Sequence, residues 1–231
     1  MTGITVIKIG GALLQTPDAA VARILAVGAN RFVIVHGGGV QITRMLEKMN
    51  VKSQFIDGLR VTDDVTLGAV AAALLGEVHT GLVIALQKAG IPAIGVFGAI
   101  RAEKKTGPWG LVGTNVHANR STLMHLVENG GVPVVPTLAI GDSSLLNVNG
   151  DETAAAVALA MAAQRLIFLT EVDGVLDAQQ TVIARVPRSV SLLDAPFVSG
   201  GMKPKIQAVE AALAGGVSSV SVGRTVFGDP Q

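Results

Sequence analysis

Two apolar segments near the start of the chain each run straight into a cluster of glycines: Lys8-Ile9-Gly10-Gly11 follows Ile4, Val6 and Ile7, and His36-Gly37-Gly38-Gly39 follows Phe32-Val33-Ile34-Val35. Segments this short and apolar read as strands buried on both faces, and each glycine cluster hands over to a run of helical period. Strand, glycine turn and helix, repeated, commit the chain to a parallel sheet with helical crossovers. Any tight βα turn uses glycine for its own geometry, so one such turn says little about a ligand. Two together read as an anion site: without a Cβ the backbone N–H groups approach a phosphate closely, and Lys8 adds a mobile positive charge. Neither turn matches Gly-x-x-x-x-Gly-Lys-Ser/Thr or Gly-x-Gly-x-x-Gly, which removes the two commonest nucleotide loops.

The 231 residues suffice for one large α/β domain or two small lobes. Cysteine is absent, which excludes disulfides, thiolate metal sites and a cysteine nucleophile. A formal net charge of +1 with scattered Lys and Arg leaves no basic stripe for nucleic acid and no polybasic membrane tail. The mean hydropathy of +0.54 invites a membrane reading. Against it, the longest apolar stretch, 154–163, stops at Gln164-Arg165, short of the ~18 to 20 residues that span a bilayer. No basic segment precedes the first apolar run, so no secretory signal is expected, and a cytoplasmic location follows.

Strands are expected at 5–9, 32–36, 93–97, 132–136 and 166–170, and helices at 18–29, 40–49, 64–88, 120–128, 152–163 and 202–214. The stretch 98–115, with Arg101, Lys104, Lys105 and the single Trp109, suits an exposed hairpin or flap; 141–149 suits a polar turn into a short strand; 171–186 suits a loop with a short strand. One sheet with two lobes, 1–163 and 164–231, accommodates this order.

Two further clusters carry chemistry. In Leu146-Asn147-Val148-Asn149-Gly150-Asp151 the alternation puts Asn147 and Asn149 on one face of an extended chain, where both amides can address one ligand. Asp151 either caps the following helix or faces that ligand. In Ser199-Gly200-Gly201-Met202-Lys203-Pro204-Lys205 two lysines open a helix, against the dipole preference, which a bound anion or plain solvent exposure both explain. Among the histidines, His36 ends its strand and holds the glycine turn, while His79, His117 and His125 read as surface or packing residues. Asp57, Asp63 and Asp64 read as caps of the long helix. No carboxylate or histidine spacing suggests a metal site.

With these clusters in view the chain resembles the amino acid kinase family, and within it the N-acetylglutamate kinases. Lys8-Ile9-Gly10-Gly11, His36-Gly37-Gly38-Gly39, Gly58-Leu59-Arg60-Val61-Thr62-Asp63, Asn147 to Asp151, Leu169 to Leu176, and Gly200-Gly201-Met202 with Lys205 appear in the family's order. The resemblance implies a three-layer αβα sandwich around a mainly parallel open sheet. It implies phosphorylation of the N-acetyl-L-glutamate side-chain carboxylate by ATP, with Mg2+ carried on the ATP phosphates. Lys8 and Lys205 would neutralise the transferring phosphoryl group and Asp151 would hold them. Gly10, Gly11, Thr170, Asp173, Gly174, Leu176 and Met202 would serve the nucleotide, and Gly37, Gly38, Arg60, Asn147 and Asn149 the acyl amino acid. A homodimer built through helices between Asp64 and Glu128 is implied as well.

The chain also departs from the family's pattern. Ala99-Ile100-Arg101-Ala102 replaces a Ser-Gly-Lys-Asp-Gly run, Gly150 stands where alanine is usual, and Thr225-Val226-Phe227 takes the place of a closing Gly-Thr strand. Sister kinases that act on aminoadipate or glutamate held by an acidic carrier protein favour glycine before the aspartate and a basic flap, so a carrier-linked substrate is the alternative. A catalytically silent ligand-binding regulator is a third.

Overall fold

The computed structural model describes residues 3–229. Its strands are β1 (Thr5–Ile9), β2 (Phe32–His36), β3 (Phe55–Ile56), β4 (Leu59–Arg60), β5 (Ala93–Gly95), β6 (Ile100–Lys104), β7 (Gly113–Ala118), β8 (Val132–Pro136), β9 (Leu138–Ile140), β10 (Leu145–Asn147), β11 (Arg165–Leu169), β12 (Arg185–Val186), β13 (Ser219–Val222) and β14 (Thr225–Phe227). The helices are α1 (Pro17–Ala26), α2 (Gly39–Lys48), α3 (Asp64–Ala71), α4 (Thr80–Lys88), α5 (Arg120–Glu128), α6 (Gly150–Ala160) and α7 (Met202–Ala214). A π-helical segment, Ala72–His79, joins α3 to α4 without a break.

Eight strands form the central sheet in the order β12-β14-β13-β11-β1-β2-β8-β5. Every pairing is parallel except β13 with β14, which returns as a hairpin. Strand β1 lies in the middle, pairing Lys8 with Phe168 on one side and with Val35 on the other. Its alternation sorts the two faces: Val6 packs in the cluster that holds α6 and α7, whereas Ile7 and Ile9 pack with α1 and α4. Lys8 shares the parity of Val6, so its side chain leaves the sheet on the α6 side.

The expected α/β architecture is therefore present, with helices on both sides of a mainly parallel sheet. Strands 5–9, 32–36 and 132–136 and helices 64–88, 120–128 and 202–214 fall where expected, and the other expected strands and helices shift at their ends. The segment 98–115 is a hairpin, whose arms β6 and β7 join β9 and β10 in a second, four-stranded sheet. The closing residues Thr225–Phe227 do form a strand. Asp63 caps the long helix, accepting from the Thr66 N–H at 2.7 Å. Asp57 does not: it lies with Gly58 in the β3–β4 turn, where both have positive φ (52° and 78°), as a two-residue type I′ hairpin demands.

Contrary to the expectation from run length, one helix among the described residues does reach membrane-spanning length. The helix from Asp64 to Lys88 spans 25 residues with a window of mean hydropathy 1.8, long and apolar enough to cross a bilayer by length and composition. Its small and polar residues interrupt any unbroken apolar run, which is why the sequence hides it. Its buried side, Leu74, Val78, Leu82 and Leu86, is spent on the protein's own core.

Candidate active site

The carboxyl ends of the central parallel strands carry both glycine turns, and the turns touch. Gly11 lies so close to the second loop that a Cβ there would stand 2.8 Å from the Gly39 nitrogen. Gln41, almost fully buried in the first turn of α2, donates from Nε2 to the Gly11 carbonyl at 3.0 Å and fastens one loop to the other. Its polar side chain among the apolar positions of α2 was a signal for such a link.

Lys8 reaches from β1 and Lys205 from the second turn of α7 to opposite oxygens of one carboxylate. Lys8 Nζ lies 2.7 Å from Asp151 Oδ1, and Lys205 Nζ lies 2.9 Å from Oδ2. The Lys205 contact is a hydrogen bond, and the Lys8 contact is an ion pair. Burial alone would push the Asp151 carboxyl up, but the two ammonium groups outweigh it and hold it below the usual carboxylate range. Burial pushes Lys205 down, against the pull of Asp151. Lys205 also sits 4.9 Å above the Phe168 ring, the register partner of Lys8. Lys203, the other lysine of this helix start, is exposed.

Asp151 does not cap α6. Asn149 does, its Oδ1 accepting from the Asp151 and Glu152 N–H groups at 2.8 and 3.1 Å. This cap frees the Asp151 carboxylate for the lysines. Gly150 keeps the approach clear, since a Cβ there would stand 3.1 Å from Lys8 Cε.

A cavity of about 220 Å3 opens at this point and is lined by Lys8, Gly10, Gly11, Gly37, Gly38, Arg60, Asn147 and Asn149, among others. The structure thus brings together Lys8 and the expected substrate-side residues. Their donors differ in freedom. The Gly37 N–H is spent on the Ile9 carbonyl at 3.1 Å, so the expected donation from that amide is corrected. Asn149 Oδ1 is spent on the cap, and Asn147 Nδ2 donates to Thr62 Oγ1 at 3.1 Å, so each amide keeps one end for a ligand. Arg60 is buried by Phe55, 4.7 Å from its ring centroid, and bonds Ser53, Thr43 Oγ1 (2.8 Å) and the Gly39 carbonyl (3.3 Å). Part of its five-donor fork remains for a ligand.

A larger cavity of about 1090 Å3 is lined by Asp173, Gly174, Leu176 and Met202, together with Phe197 and Arg224. Gly174 is needed there: a Cβ would collide with Thr225, whose hydroxyl accepts from the Val175 N–H at 2.8 Å. Thr170, expected in the same group, is not part of that lining; its carbonyl accepts from Arg23 at 3.1 Å.

His36 behaves as expected, its Nδ1 lying 3.2 Å from the Gly37 carbonyl oxygen. His79 is more than a packing residue, for its Nδ1 meets His36 Nε2 at 2.9 Å. His117 and His125 are exposed. Among the described residues, no three His, Cys, Asp or Glu side chains converge as a metal site. The one buried carboxylate at the centre, Asp151, is already engaged by two ammonium groups, so a metal would have to arrive on a ligand's own oxygens.

Comparison with known proteins agrees with this geometry. The model of the amino acid kinase family matches residues 3–224. Acetylglutamate kinase of Koribacter versatilis is 38% identical over 94% of this chain and 88% of its own. Acetylglutamate kinase of Halalkalibacterium halodurans is 39% identical over 98% and 92%. The crystal structure of smu.665 from Streptococcus mutans UA159 superposes with a TM-score of 0.88 at 31% identity, covering 99% of each chain. Over nearly its whole described length, this chain belongs to the amino acid kinase family.

Proposed function

We propose that this kinase transfers the γ-phosphoryl group of ATP to the side-chain carboxylate of N-acetyl-L-glutamate, giving an acyl phosphate and ADP in the biosynthesis of arginine. The observation that carries the reading is the pair of lysines on one buried carboxylate where two glycine loops meet. The similarity to acetylglutamate kinases over nearly the full chain supports the choice of acceptor.

The acceptor carboxylate is ionised at neutral pH, so no base has to remove a proton. A carboxylate oxygen attacks the γ-phosphorus, the bond to the β–γ bridging oxygen breaks, and that oxygen leaves with ADP. The obstacle is repulsion between two anions. Lys8 and Lys205, held apart by Asp151, neutralise the equatorial oxygens, while the Gly10, Gly11 and Gly38 N–H groups supply fixed donors. Arg60, with the free ends of Asn147 and Asn149, grips the acyl amino acid, and Asp173, Gly174, Leu176 and Met202 shape the adenosine end. Thr170 stands outside that wall and is kept as its neighbour only. Mg2+, if carried on the phosphates, would supply shielding of their charge, and no residue of the described site has to hold it. Residues 1–163 serve as the substrate lobe and 164–231 as the nucleotide lobe. A cytoplasmic homodimer, using the exposed apolar residues Val65 and Ile84 of the long helix, completes the proposal.

Hydroxylamine traps an acyl phosphate as a hydroxamate. With ATP and Mg2+ the protein forms one from N-acetylglutamate, and less or none from N-acetylaspartate, glutamate or carrier-linked aminoadipate. Hydroxamate from the carrier-linked acid alone reassigns the acceptor, and none from any acid overturns the kinase reading.

A further inference from the structure

Phosphoryl transfer as proposed uses no histidine, yet His36 sits fully buried at the root of the second glycine loop. A carbonyl oxygen only accepts, so His36 Nδ1 carries the proton that reaches the Gly37 carbonyl at 3.2 Å. Its Nε2 is then a bare lone pair and accepts from His79 Nδ1–H at 2.9 Å. With His36 neutral, as its complete burial favours, both contacts are satisfied by Nδ1–H tautomers of the two rings. Burial favours the same state, lowering His36 to about 3 and His79 below its ordinary value.

The donor ring comes from an unusual stretch of helix. His79 ends the π-helical segment Ala72–His79, whose i→i+5 turn draws residues 74 and 79 together on one side. Leu74 and Val78 of that side press on Gly38, where a Cβ would stand 2.8 Å from Leu74 Cδ2 and 3.2 Å from Val78 Cγ2. The His79 ring in turn fills the space that a Cβ on Gly95 would need. The glycine loop is therefore gripped twice by one segment, by apolar contact at Gly38 and by the histidine relay at Gly37.

We infer that His79 and His36 are positioning residues: the relay from the π segment through both rings to the Gly37 carbonyl fixes the direction in which the neighbouring Gly38 N–H points into the phosphoryl site. The inference rests on the proposed reaction for its kinetic part, and its geometry is measurable without turnover.

The test uses the full-length enzyme in the hydroxamate assay, well below its melting temperature. His79→Ala lowers kcat about tenfold or more, with KM for either substrate moving by less than about threefold, because a misdirected donor is missed mainly in the transition state. His79→Asn restores most of the rate, since its amide N–H takes the place of Nδ1–H. Glu77→Gln, which cuts the exposed Arg44–Glu77 ion pair of the same segment, leaves kcat unchanged. A folded His79→Ala enzyme with wild-type kcat, an Asn variant as slow as the Ala variant, or an equal loss in Glu77→Gln overturns the relay. Nitrogen chemical shifts of the two imidazoles in the wild type provide the second reading: both show a protonated Nδ1. A His36 protonated on Nε2 overturns the relay even if the alanine variant does not fold. Absence of any acyl phosphate in the wild type counts against the reaction, while the imidazole shifts still decide the hydrogen bond.

Discussion

The two cavities are built from different material. The smaller one is walled by the ends of central strands, the first turns of α2 and α6 and the β3–β4 hairpin, and its charged groups Lys8 and Arg60 are held by partners. The larger one is walled mostly by the irregular segment after β11, and its most evident ion pair, Arg224 with Asp173 at 3.1 Å, is largely exposed. Burial makes the first an arrangement fixed before any ligand arrives, with every interaction strengthened by exclusion of water. The second offers shape but little electrostatic commitment. On the proposed reading, phosphoryl transfer and the acyl amino acid belong to the buried cavity and the adenosine end to the more open one.

If that contrast is right, the largest effects belong to the buried centre. Lys8→Ala lowers kcat by about 10²–10³-fold with little change in KM for ATP, measured by steady-state kinetics. Asp151→Asn leaves two buried ammonium groups uncompensated and costs about 3–5 kcal/mol of stability, readable by urea unfolding. Arg60→Lys keeps the charge and loses the planar fork, so KM for N-acetylglutamate rises about tenfold while kcat stays within about threefold. Acid comes next. His36 has a folded value of about 3 against an ordinary 6.5. Its contribution is complete above pH 6.5 and shrinks as the unfolded chain takes up protons that the folded one refuses, by about 1.4 kcal/mol per pH unit down to pH 3. His79 acts in the same direction. Asp151 adds its own loss only once the pH enters the carboxylate range, and Glu152, held up by burial, works the other way, so the loss between urea midpoints at pH 7.5 and 5.5 reports chiefly the histidines. The smallest effect belongs to the rim of the larger cavity: Arg224→Ala changes stability by less than about 0.5 kcal/mol and KM for ATP by less than about threefold. A large loss there would erase the contrast.

The sequence carried the parts of this site that depend on period and punctuation. Glycines after apolar strands placed both loops, and Lys8 is legible because a lysine interrupts an otherwise buried strand. Lys205 and Asp151 were visible as residue types at helix starts; that they meet was implied by the family resemblance and not by period or spacing, because it depends on α6 and α7 packing on the same face. The division of labour between Asn149 and Asp151 was not legible, since either residue type caps a helix and only coordinates show which oxygen points inward. His79 was hidden for a similar reason. On an ideal helix it reads as one more side chain of an amphipathic run, and the π segment that turns it toward His36 leaves no mark in the pattern. The β13–β14 return and the β3–β4 hairpin were too short for periodicity to declare them.

The position of β1 has a consequence for how such a protein comes into being. The strand that carries Lys8 precedes one of its two neighbours, β11, and the helix bearing Lys205 by most of the described residues. Until β11 is in place the early strand keeps an open edge, and Lys8 has its counter-ion only when Asp151 of α6 is in place. Long-range pairing of this kind closes slowly. The site therefore exists only once β1, α6 and α7, elements far apart along the chain, have been brought together.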